Sequence, residues 1–299
     1  MNINIHTLLI KKFPEIKIEK DIPTRYFSFV RTGGIAKTVI FPKSINELSE
    51  IINFLNFNSI KYVVLGKCSN VLFSDNIISL IIIKTDLLTN ITINGNNVYA
   101  ECGVGLCQLA IECLKEDLSG FEFACGIPGS IGGGIIMNAG AFGSCISNII
   151  KKVYIGGEVV TGIDNKDCGF SYRNSRFLKS KECILAAEFE LKEGDINEIR
   201  ANVSAITLNR NNIQPKGLTL GSTFKNPTNK SAGELIEKAG LKSFGINGAI
   251  ISQKHANFIM NTGGTTSTDI KLLIDYIKET VFKHFNIQLE EEIQYIGEF

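Results

Sequence analysis

Five stretches of this chain hold residues whose types and spacing could do chemistry. In Val63-Val64-Leu65-Gly66-Lys67-Cys68-Ser69-Asn70-Val71-Leu72-Phe73 an apolar strand runs into a Gly-Ser-Asn loop. Consecutive backbone N–H groups in such a turn, with the Ser69 hydroxyl, form an anion-binding nest; a plain tight turn would use the same residues. In Gly126-Ile127-Pro128-Gly129-Ser130-Ile131-Gly132-Gly133-Gly134, followed by Met137-Asn138-Ala139-Gly140-Ala141-Phe142-Gly143, bare backbone can lie against a planar ring or a pyrophosphate. There Asn138 offers both a donor and an acceptor to a polar ring edge. Taken alone, Arg173 in Ser171-Tyr172-Arg173-Asn174 is a loop arginine, Ser222 after Gly221 a turn serine, and Glu290-Glu291-Glu292 a solvated acidic triplet. Lys225 and Asn226 follow Ser222 at a spacing that brings hydroxyl, ammonium and amide within reach of one ligand.

The loops match neither G-x-G-x-x-G nor G-x-x-x-x-G-K-[ST], so they are neither a Rossmann fingerprint nor a P-loop. Two glycine-rich loops in one chain argue instead for a large, flat, phosphorylated cofactor. Lys plus Arg (31) nearly balances Asp plus Glu (30), so any anionic ligand must be met by local groups, and no basic stripe points to nucleic acid. With three histidines and no C-x-x-C pair among eight cysteines, a His-rich metal centre is excluded, the composition argues against a zinc hydrolase, and reduced, mostly buried thiols are expected. No apolar run reaches the roughly 18 residues of a membrane helix. The start, MNINIHTLLIKKFPEIK, meets charges after a four-residue apolar stretch, unlike a signal peptide, and a cytoplasmic protein is expected.

Hydrophobic spacing supplies the elements that must hold these loops. Residues 36–41 and 61–65 read as strands, and Leu48, Ile51, Ile52 and Leu55 between them as one helix face, giving a strand–helix–strand unit. Strands are expected at 79–84, 88–93 and 97–102, then a helix through Leu106, Leu109, Ala110 and Cys113. The stretch 121–145 is too rich in glycine for an ordinary helix or strand interior. A helix near 195–210 leads to Gln214-Pro215-Lys216-Gly217, the candidate domain boundary, and helices follow at 231–239, opened by the S-x-x-E cap of Ser231 and Glu234, and through Ile270, Leu273, Ile274, Ile277 and Val281. In a final strand at 289–296, period-two alternation puts Glu290, Glu292 and Gln294 on one face and Leu289, Glu291, Ile293 and Tyr295 on the other.

GIPGSIGG with MNAGAFG, Tyr172-Arg173-Asn174-Ser175, Gly221-Ser222-Thr223-Phe224-Lys225-Asn226-Pro227, Ser231-Ala232-Gly233, Lys254-His255-Ala256-Asn257-Phe258 and Asn261-Thr262-Gly263-Gly264 occur in that order. Together they resemble the UDP-N-acetylenolpyruvoylglucosamine reductase family, from about residue 20 to the C-terminus, in its shorter subtype. The resemblance implies an α+β chain: a two-part FAD-binding fold of the PCMH type (1–85 and 86–212, with the C-terminal strand 289–299 returning to the second part) and a smaller α/β substrate-binding domain (213–288). It implies that NADPH reduces FAD and that a hydride then passes to the enolpyruvyl ether of a UDP-sugar, giving UDP-N-acetylmuramate for peptidoglycan synthesis.

By resemblance, Arg173 faces the carboxylate that gains charge, Ser222 gives the proton, and Glu292 is the acidic member of the site, with Glu290 and Glu291 solvated. Gly66, Ser69, Asn70, Gly126, Pro128, Gly129, Ser130, Gly132, Gly133, Asn138, Ala139 and Gly140 fall to the cofactor, and Tyr172, Lys225 and Asn226 to the substrate. Lys67 and Cys68 stand where the family commonly has glycine. His255 tempts as a general acid, but the resemblance gives its segment the support of the third domain and the ligand pocket. Of the histidines only His6 precedes residue 255, ahead of the cofactor loops, so the FAD is expected to be non-covalent. An FAD oxidase of the same fold is the alternative enzyme, and a non-catalytic UDP-sugar sensor would have no reason to keep Arg173, Ser222 and Glu292 together. No metal and no obligate protein partner are implied.

Overall fold

A computed structural model describes residues 5–180 and 182–299. The helices are α1 (Ile5–Lys12), α2 (Ile45–Phe57), α3 (Leu106–Lys115), α4 (Ile131–Ile136), α5 (Ile196–Ile213), α6 (Ala232–Lys238) and α7 (Ser267–Phe285). The chain divides into two compact units, and the division is discontinuous: residues to Lys20, Thr38–Lys67 and Leu80–Asn209 form the first, and Asp21–Lys37, Cys68–Ser79 and Arg210–Phe299 the second.

In the first unit the expected strand–helix–strand is present as Ile35–Phe41, α2 and Tyr62–Leu65. The Ser44 hydroxyl caps α2 by accepting from Glu47 N, and Leu48, Ile51, Ile52 and Leu55 are its buried face. The strand Ile81–Lys84 lies between the two flanking strands and runs parallel to both. All four of its residues are buried, as a parallel strand covered on both faces requires. The strands of this half form two sheets: this one, and an all-antiparallel one in the order Thr161–Asp164, Ile150–Gly156, Cys183–Glu190, Asn97–Glu101, Ile91–Asn94. One core of aliphatic and phenylalanine side chains joins α2, α3, α4 and both sheets.

The second unit has a four-stranded antiparallel sheet in the order Thr219–Ser222, Phe258–Asn261, Ala249–Ile251, Gly245–Ile246. Helices α6 and α7 close its core through Leu235, Ile236, Ile270, Leu273, Ile274 and Ile277. The C-terminal strand, expected against residues 86–212, pairs instead with Val71–Phe73 in parallel. Backbone bonds at both ends, Gln294 N to Asn70 O and Ser74 N to Ile296 O, extend that ladder, while Leu289 and Ile293 enter the core of this unit. Among the described residues no helix is long and apolar enough to cross a membrane, and no cluster of His, Cys, Asp and Glu could hold a metal. Six of the eight cysteines are buried. Burial pushes the Cys102 and Cys113 thiols up to about 12, so they pack as small hydrophobes.

Candidate functional site

The two glycine-rich loops meet in the first unit. A Cβ on Gly66 would stand 2.0 Å from Ser130 Oγ, so the close approach expected of these glycines is first an approach of one loop to the other. Beneath them Lys84, 1% exposed at the end of an otherwise apolar strand, donates from Nζ to Gly66 O and lies 3.3 Å from the Asp86 carboxylate. Sequence reasoning passed over Lys84. Its signal was a charge closing a run of four buried positions, which demands partners inside the protein.

The stretch judged too glycine-rich for a helix interior does form one, α4, with the sequence Ile-Gly-Gly-Gly-Ile-Ile. Packing overrides propensity here. A Cβ on Gly132 would press on Cys102 at 3.0 Å, and one on Gly134 would meet Ile146 at 2.8 Å and Leu106 at 3.1 Å, so only glycine lets the helix settle at this depth. Gly133 differs. Apart from Ser130 Oγ at 3.5 Å, a Cβ there meets nothing within 4 Å, so this part of the helix presents bare backbone. Ser130 caps the helix by accepting from Gly133 N, Gly126 has φ +78°, and Gly129 O accepts from Leu106 N at 2.9 Å. Ala139 continues the anchoring, with its N–H on Gly134 O and its carbonyl taking Ile146 N.

Asn138 is 5% exposed and spends both amide ends inside the protein: Nδ2 donates to Ser171 O at 3.0 Å, and Oδ1 accepts from Ser147 N at 3.0 Å. It bridges the end of α4 to the turn that carries Tyr172 and Arg173. Reciprocal backbone bonds between Ser171 and Asn174 close that turn, and Arg173 sits at φ +51°, a left-handed conformation that costs a non-glycine residue about 1–2 kcal/mol. Strain of this kind persists where surroundings impose it and is characteristic of functional sites. The Arg173 guanidinium donates from Nη2 to Gly140 O at 2.9 Å and lies 5.2 Å over the exposed Tyr172 ring. Gly140 must be bare, because a Cβ would fall 2.5 Å from that of Cys145.

In the second unit, Cys68 holds φ +54° and opens the segment that continues through Ser69, half-buried, and Asn70. Asn70 donates from Nδ2 to Glu292 O at 2.9 Å and accepts Gln294 N on its own carbonyl, so it pins the last strand at two points. Further backbone bonds cross from that strand to Thr223-Phe224-Lys225: Glu292 N donates to Thr223 O and Lys225 N to Glu290 O, each at 2.8 Å, and Phe224 is bridged to Glu291. Ser222, Lys225 and Glu292 thus sit on two chain segments in fixed register.

Lys225 Nζ lies 2.5 Å from Glu290 Oε1; its side chain is 18% exposed while that of Glu290 is 73% exposed. Asn226 Oδ1 accepts from Ala232 N at 3.0 Å, tying it to the first turn of α6, which Ser231 caps as expected by accepting from Glu234 N. Glu291 departs from the solvated reading. Period two turns it inward beside Leu289 and Ile293, and its carboxylate, 16% exposed, pairs with Lys278 at 2.6 Å. Burial works to raise that carboxyl's pKa, yet the Lys278 ammonium and the adjacent Tyr295 hydroxyl hold it below the ordinary range. His255 is a satisfied, half-buried histidine, with Nδ1 accepting from Asn257 N at 3.2 Å and its ring edge-on to Phe258.

Residues 214–296 match the model of the UDP-N-acetylenolpyruvoylglucosamine reductase C-terminal domain, and residues 36–164 match an FAD binding domain. The UDP-N-acetylenolpyruvoylglucosamine reductase of Caldicellulosiruptor bescii is 40% identical over 95% of this chain and 92% of its own length. That of Carboxydothermus hydrogenoformans is 42% identical over 90% of each. The crystal structure of the Thermus caldophilus reductase superposes with a TM-score of 0.83 at 27% identity, covering 94% of this chain and 100% of that one.

Proposed function

The chain belongs to the UDP-N-acetylenolpyruvoylglucosamine reductase family, and from that premise we propose that it reduces the enolpyruvyl ether of UDP-N-acetylglucosamine enolpyruvate to UDP-N-acetylmuramate, with NADPH as electron donor and non-covalent FAD, in peptidoglycan precursor synthesis. It is an FAD-dependent oxidoreductase acting on a UDP-sugar. The observation that carries the detailed reading is the ladder that fixes Ser222, Lys225 and Glu292 in one register. The same reading divides the roles between an FAD-binding pair, 1–85 and 86–212, and a substrate-binding domain, 213–288, with Asp21–Lys37 and Cys68–Ser79 packed in the compact unit of that last domain, in a cytoplasmic enzyme.

The residues present fit a flat, phosphorylated cofactor: bare backbone at Gly133 beside the Ser130 hydroxyl, and a buried ammonium, Lys84, behind the Gly66 carbonyl. Gly66, Ser69, Asn70, Gly126, Pro128, Gly129, Ser130 and Gly133 would hold FAD, while Gly132, Asn138, Ala139 and Gly140 keep the loop in shape. The chemistry FAD supplies when bound is delivery of the reducing equivalents of NADPH to the substrate's methylene carbon as a hydride. Arg173 then stabilises the negative charge that develops at the neighbouring carbon and its carboxylate; its Nη2 is already aimed by Gly140 O, and a guanidinium fork suits a carboxylate gaining charge.

Ser222 Oγ gives its proton to that carbon. A hydroxyl is a weak acid, so the Lys225 ammonium and the Glu292 carboxyl set the electrostatics in which the alkoxide forms. Lys225, Asn226 and Tyr172 hold the anionic and polar parts of the substrate, the substrate phosphates displacing the exposed Glu290 carboxylate from Lys225. The visible spectrum of the purified protein tests this reading. Flavin bands bleached by NADPH and restored by the enolpyruvyl sugar nucleotide are expected; bands restored by oxygen and unaffected by that nucleotide would overturn it in favour of an oxidase.

A further inference from the structure

We propose that Asn257 is a positioning residue for the chemistry of the second unit, setting Ser222, Lys225 and Glu292 through the peptide groups of Thr223 and Phe224; the proposal rests on Ser222 being the proton donor. The ladder between Thr219–Ser222 and Phe258–Asn261 is irregular. Thr219 pairs with Met260 and Ser222 with Phe258, so three steps on one strand oppose two on the other, and Gly221 takes up the bulge at φ +78°. Beyond Ser222 the ladder cannot continue in ordinary register.

Asn257 replaces it. Its backbone carbonyl accepts from Thr223 N at 2.8 Å, its side-chain Oδ1 accepts from Phe224 N at 2.9 Å, and its Nδ2 donates to Phe224 O at 2.8 Å. The side-chain amide acts as an added peptide group, one donor and one acceptor facing their complements. Both residues are buried, Asn257 at 4% and Phe224 at 1% exposed, so water cannot substitute for either bond. On the opposite edge Thr223 O holds Glu292 N and Lys225 N holds Glu290 O. The strip that presents Ser222 and Lys225 and registers Glu292 is therefore clamped from two sides, one of them a single side chain, and the backbone N–H of Asn257 is itself held by His255 Nδ1. A misplacement of the order of 1 Å at reacting groups can cost about 100-fold in rate.

The test uses the FAD-loaded enzyme and separates reduction by NADPH from reoxidation by the enolpyruvyl sugar nucleotide. Asn257→Ala is expected to slow reoxidation roughly 10- to 100-fold while flavin content and reduction by NADPH stay near wild type. Equal loss in both half-reactions would make Asn257 a purely structural residue and overturn the proposal. Asn257→Asp covers the case in which the alanine variant folds poorly. Ionised, the new carboxyl can accept from Phe224 N but opposes Phe224 O; protonated, it again offers one donor and one acceptor.

Reoxidation by Asn257→Asp should therefore recover as pH falls, relative to wild type. His255, held below its ordinary range chiefly by burial, is common to both proteins, as are the charged Lys242 and Glu237 beside it, and cancels from the ratio. A ratio that does not change with pH would overturn the proposal. If Ser222→Ala itself leaves reoxidation untouched, the proton-donor reading falls and this proposal with it; if only the Asn257 variants leave it untouched, this proposal alone falls.

Discussion

The glycine loops of the first unit and the Thr223–Glu292 ladder of the second are built on opposite principles. The first is made by leaving side chains out: Gly66, Gly132, Gly134 and Gly140 each occupy a place where a methyl would strike Ser130, Cys102, Ile146 or Cys145. The second is made by side chains in fixed register, with Lys225, Glu290 and Glu291 in ion pairs and Asn257 and Asn70 bonded to backbone. A surface that must accept a large flat group needs shape, and shape fails sterically when a carbon is added. A surface that must move a proton needs charge and hydrogen bonds, and those fail while the fold survives.

The largest effect expected from that contrast is at Ser222. Its strand is held by backbone bonds of Thr223 and Lys225, so Ser222→Ala should fold and bind flavin normally. Reduction by NADPH should stay near wild type while reoxidation by substrate falls about 100-fold or more, the scale of a lost positioned proton donor. Rapid-mixing spectroscopy of each half-reaction reads this directly. Parallel losses in both would show that this region too works by shape.

Arg173 belongs to the first unit yet carries charge, so it blurs the comparison and can sharpen it. Arg173→Lys keeps the cation but loses the fork that serves Gly140 O and a carboxylate together. The expected cost is about 1.5–3 kcal/mol of transition-state stabilisation, a roughly 10- to 100-fold fall in kcat, with KM changed far less. A rise in KM at unchanged kcat would mean that the guanidinium only binds the ground state.

The glycines separate shape from cofactor. Gly66→Ala forces a carbon to within 2.0 Å of Ser130 Oγ and should destabilise the protein even without flavin, by about 1–3 kcal/mol, seen as a lower Tm. Gly133→Ala meets nothing nearer than 3.5 Å and gains helix propensity, so the flavin-free protein should keep its Tm while the affinity for FAD falls. If the two variants behaved alike, the outward face of Gly133 would not be a ligand surface.

Much of this arrangement was legible in the chain. The apolar spacing of Leu48, Ile51, Ile52 and Leu55 gave α2, and the inward positions of Ile270, Leu273, Ile274, Ile277 and Val281 gave α7, because a helix face is a local property. The glycine loops and the Ser231 cap were legible for the same reason. Strand partners were not: period two says that 289–296 is extended, not that residues 294–296 lie beside Val71–Phe73. Nor does composition reveal that Asp21–Lys37 and Cys68–Ser79 join the C-terminal third, since unit membership is set by long-range contacts. Side-chain roles depended on those partners. Asn138 looked like a ligand group because its own bonds, to Ser171 and Ser147, come from segments distant in sequence.

Glu291 offers the smallest effect and the cleanest test of side chains as builders in the second unit. Its carboxyl, pulled below the ordinary range against the opposing effect of burial, binds protons less readily folded than unfolded. Such a group adds stability above the unfolded value, about 4.3 for glutamate, and that stability drains away as pH falls through the lower folded value. Glu291→Gln keeps the volume but removes the charge that meets Lys278 at 2.6 Å. Wild type should therefore exceed the variant by about 1 kcal/mol at neutral pH, the upper end for an ion pair open to solvent on one side. Denaturant midpoints measured from pH 7 down to about pH 3 should converge as the wild-type carboxyl takes up its proton. A gap that stays constant across that range would assign the contribution to packing, and no gap at any pH would return Glu291 to the solvated carboxylate its sequence suggested.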